Sequence, residues 1–127
     1  MKNIYKLLTP AVALIFLITA CTKVADLPHY DNGTAVKLTA SKTAVTPTPA
    51  DSITSVIAFS WTSPNYAQDT SLYKFILEID STGRNFAKES TKIITGNLST
   101  TLTGKELNAI LLNYGFSLGV PYTLDIR

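Results

Sequence analysis

The stretch ITSVIAFSW, residues 53–61, decides the fold of this chain. Large apolar side chains occupy alternate positions in it, with a gap at Ser55: Ile53, Ile57, Phe59 and Trp61. Because successive side chains of a β-strand point to opposite faces, this alternation predicts a strand with one strongly apolar face. The sequence Ser-Pro-Asn at residues 63–65 predicts the turn that ends the strand. We therefore expect Trp61 to lie in a core.

A second stretch, residues 72–80, repeats this alternation. Its inward face would hold four apolar side chains: Tyr73, Phe75, Leu77 and Ile79. The polar side chains between them are expected on the solvent side: Lys74, Glu78 and Asp80. Further strands are predicted over residues 36–40, 43–46, 86–95 and 98–102. Pro121 opens a last strand, with Tyr122, Leu124 and Ile126 facing inward and Thr123, Asp125 and Arg127 facing outward.

One segment has helical periodicity instead. Thr103 followed three residues later by Glu106 fits a capping box, which marks the start of a helix. Apolar side chains then recur at helical spacing: Leu107, Ile110, Leu111 and Tyr114. Gly115 is a suitable residue to end the helix. The sequence predicts a short helix that links two strands and bridges two sheets.

About six short strands separated by frequent turns predict an all-β fold, an immunoglobulin- or fibronectin-III-like β-sandwich, over residues 35–127. Tyr122 stands where such sandwiches place a tyrosine corner. A seven-stranded sandwich needs one more strand after Arg127. We therefore expect residues 35–127 to be an incomplete domain that lacks its last strand and leaves a neighbouring strand with an unpaired edge.

The N-terminal segment has the features of a secretory signal peptide. Lys2 and Lys6 precede an apolar stretch, and Ala20 precedes Cys21, the only cysteine. This ending resembles a bacterial lipobox, which implies a signal peptide over residues 1–20 and a lipid on Cys21. A transmembrane anchor is the alternative, but residues 7–20 fall short of the roughly 20 apolar residues that span a bilayer. A buried thiol is the other alternative for Cys21.

Residues 21–34 read as a linker that holds the domain away from the lipid surface. The single histidine, His29, lies in it and is expected to be solvated. Lys2 and Lys6 belong to the signal peptide, and the remaining Lys and Arg balance the nine Asp and Glu. This neutral balance argues against nucleic acid as a partner.

The sequence contains few features that would indicate an enzyme. A second histidine, paired-carboxylate spacing and a phosphate-binding glycine-rich loop are all missing from it. We therefore expect no enzyme, no cofactor and no metal site. The carboxylates Asp69, Glu78 and Asp80 are expected to be solvated, and a calcium site from Asp51, Asn65 and Asp69 has no support in their spacing.

Several segments together resemble the N-terminal region of SusE-like outer-membrane lipoproteins. They are the lipobox, VKLTASKTAV at 36–45, FSWTSP at 59–64, YKFILEID at 73–80, LTGKELNAILLNYG at 102–115 and VPYTLDIR at 120–127. The resemblance implies a lipid-anchored protein of the outer membrane that accompanies SusC/SusD-like glycan importers. It also implies an immunoglobulin-like N-terminal domain, with glycan binding carried mainly by later domains that this sequence does not contain. The resemblance leaves both sides of the outer membrane, periplasmic and cell-surface, as alternatives.

Besides Cys21, four residues are candidate sites: Asn65, Tyr66, Ser52 and Ser81. Tyr66, beside Asn65 in a predicted loop, is a candidate glycan contact, since sugars stack on exposed aromatic rings. Ser52 and Ser81 follow aspartates in short motifs that resemble O-glycosylation acceptors of related bacteria. Trp61 is a weaker sugar platform because it shares the apolar strand face.

Two function classes remain open. The first is a spacer or docking module of a SusE-like protein that aids capture of starch or other glycans, with polysaccharide bound by the missing domains. The second is a structural or adhesive surface lipoprotein of fimbrial type, which pairs with a partner protein by strand addition.

Overall fold

The computed structural model describes residues 31–67 and 69–127. The predicted signal peptide, Cys21 and His29 lie outside the described residues. In the part that is described, no helix has the length and apolar character needed to cross a membrane. The elements are β1 (Leu38–Ala40), a 3₁₀ turn (Pro49–Asp51), β2 (Ser55–Trp61), β3 (Lys74–Ser81), β4 (Ser90–Thr95), β5 (Ser99–Thr103), α1 (Gly104–Asn113) and β6 (Leu124–Ile126).

The strands form two three-stranded antiparallel sheets. The first has the order β1-β2-β5 and the second has the order β4-β3-β6. The Lys92 ammonium group of β4 donates a hydrogen bond to the Thr101 carbonyl of β5, so these two edges lie on one side of the sandwich. β1 and β6 therefore lie on the other side. The predicted all-β sandwich is confirmed, while its immunoglobulin-like character stays a prediction.

The two central strands supply most of the core. β2 contributes Phe59 and Trp61, and β3 contributes Leu77 and Ile79, all of them buried. Leu124 and Ile126 of β6 are partly buried against the same cluster. The alternation that predicted these inward faces is thus confirmed where the strands are regular.

The helix bridges the two sheets, as predicted. Thr103 caps it: its hydroxyl accepts from the Glu106 N–H, and the Glu106 carboxylate accepts from the Thr103 N–H. At the other end, the Tyr114 hydroxyl donates to the Ile79 carbonyl of β3 and accepts from the Ser90 N–H of β4. The helix thus begins at the first sheet and is held at its end by the second.

The start of β2 differs from the sequence prediction. Ile53 was expected on the inward face but is 86% exposed. The pairing of β2 with β5 shifts by one residue between Ser55 and Ile57, which is a β-bulge. The extra residue shifts the alternation by one position. Side chains before the bulge therefore point to the face opposite the one that the alternation of Ile57, Phe59 and Trp61 predicts for them. Val56 and Ile57 are both buried as a result.

Three other predictions, two about strands and one about a side chain, were also wrong. Residues 43–46 form no strand, although Val45 packs against the core. β4 begins at Ser90 and not at Phe86, because Asn85 and Phe86 both have positive φ angles, of 52° and 57°, which an extended strand does not allow. Tyr122 was expected to face inward but is exposed.

Candidate functional site

The predicted glycan contact lies in a loop with a well-defined geometry. Tyr66 stacks on Tyr73, with ring centroids 4.5 Å apart and an angle of 23° between the planes. The Tyr73 ring is buried, and its hydroxyl accepts from the Ala67 N–H and donates to the Ala67 carbonyl. Tyr66 remains 39% exposed. The structure therefore presents one aromatic ring at this loop and supports it from beneath.

Asn65 lies beside this ring and is exposed. Its φ angle of 52° is in the left-handed region, which asparagine tolerates better than most residues. Residues 31–34, the described part of the predicted linker, lie against this loop. Asp31 N–H donates to the Tyr66 carbonyl over 2.9 Å, and Thr34 N–H donates to the Pro64 carbonyl over 2.6 Å. Contacts of the sandwich thus begin before residue 35.

Gly33 allows this close approach. Its φ angle is +66°, and a Cβ atom there would lie 2.7 Å from the Pro64 carbonyl oxygen. That separation is shorter than a van der Waals contact, so glycine is the residue that fits. The sequence placed Asn65 and Tyr66 in one loop, but it did not show that Tyr73 and Gly33 would support them.

Trp61 is a core residue, as its alternation predicted. It is 8% exposed and packs against Phe75, with ring centroids 5.3 Å apart. An aromatic ring buried in this way cannot stack on a sugar. One feature was not predictable: among the described residues, the Trp61 Nε1 atom has no hydrogen-bond acceptor.

The two candidate O-glycosylation sites have different surroundings. Ser52 is exposed in the turn that follows the 3₁₀ segment, next to Asp51. Hydrogen bonds from the Thr48 hydroxyl and N–H hold the pKa of the Asp51 carboxyl below its usual range, so this carboxylate stays charged. Ser81 is half-buried at the end of β3 and is paired with Leu124.

Asp80 was expected to be solvated, and this prediction is wrong. Its side chain is 0% exposed. The carboxylate accepts from the N–H groups of Ser81 and Lys88 and lies 3.5 Å from the Arg84 guanidinium. Asp80 thereby holds the turn between β3 and β4 in place, and its alternation with Lys74 and Glu78 concealed this role.

This role leads to a stability prediction. Asp80→Ala leaves two backbone donors without their acceptor, and we expect it to lower the free energy of unfolding by about 2 kcal/mol. Urea unfolding followed by circular dichroism measures the change, with Glu89→Ala as the control, because Glu89 is an exposed carboxylate of the same turn. Equal effects of the two variants would contradict the assigned role.

A second group of aromatic rings follows the helix. Phe116 stacks on Tyr122 with centroids 3.8 Å apart and an angle of 4°, and Tyr114 contacts Phe116 edge-on. The Tyr122 hydroxyl accepts from the Ser117 N–H, five residues upstream, which is the kind of contact that the tyrosine-corner prediction requires. Sequence reasoning missed Phe116. Three aromatic residues within nine positions were the available signal.

A groove of about 280 Å³ lies between β4, β5 and α1. Its walls are mostly apolar, and the Lys92–Glu106 ion pair borders it. The Thr103 N–H and the Lys92 ammonium hold the pKa of the Glu106 carboxyl below its usual range. The ion pair and the cap therefore support the fold above the ordinary glutamate pKa, and this support is lost as the pH falls through the lowered value.

These features define the class of protein: a β-sandwich domain of two antiparallel sheets bridged by one helix. Within residues 31–67 and 69–127, no three His, Cys, Asp or Glu side chains lie together in a way that could hold a metal ion. Residues 24–127 match the model of the SusE outer membrane protein family. The chain belongs to this family, and it is an outer-membrane protein of the starch-utilisation system. No curated protein and no solved structure matches the chain.

Proposed function

We propose that residues 35–127 form a non-catalytic spacer or docking module of a SusE protein that is anchored by a lipid on Cys21. In this role the module holds sugar-binding domains of the protein near SusC/SusD-like importer components. The observation that supports the proposal is the small amount of aromatic surface at the predicted glycan loop. Tyr66 is partly exposed, and one face of its ring is covered by Tyr73.

The outer face of the second sheet supports the docking part of the proposal. Ile76 of β3 and Ile93 of β4 are directly opposite each other and are both exposed. Leu72, just before β3, is exposed as well. Exposed apolar groups of this kind are a common feature of surfaces that contact other proteins. O-glycosylation remains part of the proposal, and Ser52 is the more accessible of the two serines.

An affinity gel containing starch tests the spacer role. We expect the chain, purified from outer membranes in detergent, to migrate as it does in a gel without starch, and Tyr66→Ala to behave identically. Tyr122→Ala serves as the matched control, because Tyr122 is an exposed ring on another loop. Retardation by starch that Tyr66→Ala abolishes and Tyr122→Ala leaves intact would overturn the proposal and make the Asn65–Tyr66 loop a binding site.

The adhesive alternative keeps one supporting observation, the unpaired edge of β6. In the described part of the chain, β6 pairs with β3 on one side and has no strand on its other side. Strand addition to such an edge is a recurring mode of peptide recognition.

A further inference from the structure

We propose that the outer face of the second sheet binds the same face of a second copy of this chain, forming a twofold-symmetric dimer in which the two β3 strands run antiparallel. The inference deepens the docking role proposed above and rests on it, because it names what the exposed isoleucines contact. The outer face consists of six side chains from two strands: Lys74, Ile76 and Glu78 of β3 and Thr91, Ile93 and Thr95 of β4.

The centre of the outer face is apolar. Ile76 and Ile93 are opposite each other in the ladder of β3 and β4, and they are 54% and 62% exposed. Leaving this apolar area in water is unfavourable, and contact with another apolar surface removes it from water. The pair therefore provides the attraction between the two copies.

The threonines of β4 flank this centre symmetrically. Thr91 lies two positions before Ile93 and Thr95 lies two positions after it, and both are exposed. A twofold axis along the row of Ile76 and Ile93 exchanges the two ends of the face and leaves the row in place. Isoleucine would then meet isoleucine, and Thr91 of each copy would meet Thr95 of the other. A twofold interface requires a self-complementary surface of this kind.

The same axis brings opposite charges together. Lys74 and Glu78 lie two positions from Ile76 in opposite directions along β3, so each Lys74 ammonium would lie over the Glu78 carboxylate of the other copy. Arg127 donates to Oε2 of Glu78, while Oε1 has no hydrogen-bond partner within residues 31–67 and 69–127. Oε1 is therefore able to accept from the second copy. If the two β3 strands ran parallel, Lys74 would face Lys74, which is unfavourable.

The size of the face sets the strength of the association. The eight residues of β3 and the three strands of the sheet give an area on the order of 400 Å², from the rise and spacing of β-strands. This is about half of the roughly 800 Å² that each partner buries in a standard interface. We therefore expect a weak dimer whose orientation depends on the two Lys74–Glu78 pairs, and which forms where the membrane concentrates the chain.

Cross-linking in isolated outer membranes tests the inference. A short bismaleimide that joins two thiols should link copies of Ile76→Cys, because this position lies on the axis. Leu112→Cys is the matched control, since Leu112 is an equally exposed apolar residue on α1. The unmodified chain reports any reaction of Cys21. Thr91→Cys and Thr95→Cys should be linked efficiently when the two variants are co-expressed and poorly when each is expressed alone.

A charge exchange tests the orientation. In the Ile76→Cys background, Lys74→Glu should lower the cross-linked fraction at least about fivefold, because two attractive pairs become repulsive. Glu78→Lys should act in the same way. Co-expression of the two variants with different tags should restore the product between them, because each introduced charge then faces its opposite. Lys105→Glu makes the same charge change at an exposed position of α1 and should have no effect.

Several results would overturn the inference. They are equal cross-linking of Ile76→Cys and Leu112→Cys, a product of Ile76→Cys with a different protein only, and no product at all. Cross-linking of Ile93→Cys without Ile76→Cys would indicate pairing through the β4 edges instead. Lys74→Glu changes an exposed side chain, so its result stands even if Glu78→Lys does not accumulate. Starch retention is measured separately, so its outcome tests the spacer role without affecting this result.

Discussion

Trp61→Ala should lower the free energy of unfolding by about 3–5 kcal/mol, the range found for truncation of large buried aromatic side chains. The indole lies among Phe59, Phe75 and Leu77, where the two sheets meet. Alanine would leave a cavity that a β-sandwich cannot close easily, because both of its walls are hydrogen-bonded sheets. Domains of this size have about 5–15 kcal/mol of total stability, so the loss is a large fraction of the total and brings a domain at the lower end of this range close to its unfolding midpoint.

Denaturant unfolding followed by far-ultraviolet circular dichroism measures the effect. Tyr66→Ala is the matched control, because it truncates an aromatic ring that is partly exposed and stacked on Tyr73; we expect a loss of about 1 kcal/mol. If the alanine variant does not fold, Trp61→Phe takes its place in the measurement, because it is a milder truncation of the same side chain. A loss for Trp61→Ala no larger than that for Tyr66→Ala would contradict the assignment of Trp61 to the core.

The central strands and the helix could be predicted because their signals are local. Phe59 and Trp61 alternate with the small residues Ala58 and Ser60, and the turn residues that follow them limit the strand. The capping box of Thr103 and Glu106 is also a local pattern, and its hydrogen bonds form between residues three positions apart. Where a local signal and the tertiary structure agree, sequence reasoning is reliable.

The errors come from strand pairing and loop conformations that the local sequence pattern does not specify. The bulge that exposes Ile53 depends on the pairing of β2 with β5, some 45 residues further along the chain. Asp80 has the alternation of a solvated residue, and its burial depends on the loop that returns the Lys88 N–H to it. The stacking of Phe116 on Tyr122 depends on the conformation of the loop between them. Composition and periodicity contain none of this information.

At the candidate glycan loop, too, the local features were predictable and the tertiary contacts were not. Proline and asparagine placed Tyr66 in a turn, and the structure confirms that the ring is exposed there. The sequence did not predict that Tyr73 would cover one face of Tyr66, or that residues 31–34 would close the base of the loop. These contacts hold the loop against the sandwich but leave little aromatic surface, which is why we favour a spacer over a sugar-binding site.

Cys21→Ala should remove the protein from the outer membrane. Cys21 lies outside the described residues, so this prediction depends on the lipobox-like sequence that ends at Ala20-Cys21. A single acyl chain binds a membrane only marginally, with about 0.8 kcal/mol for each buried CH₂ group, whereas several chains on one residue anchor a protein stably. Within the described residues, no helix is long and apolar enough to cross a membrane.

Density-gradient separation of inner and outer membranes, with immunodetection of the protein, measures this effect. We expect nearly all of the wild type in the outer membrane, and the variant either soluble or retained as a larger, uncleaved precursor. His29→Ala is the control, because it changes a nearby residue of the predicted linker and leaves Cys21 in place. Mass spectrometry of the N-terminal peptide should find acyl chains on Cys21 in the wild type and in His29→Ala. A processed Cys21→Ala protein at wild-type level in the outer membrane would show that another attachment exists, and the spacer would then be held by its protein contacts.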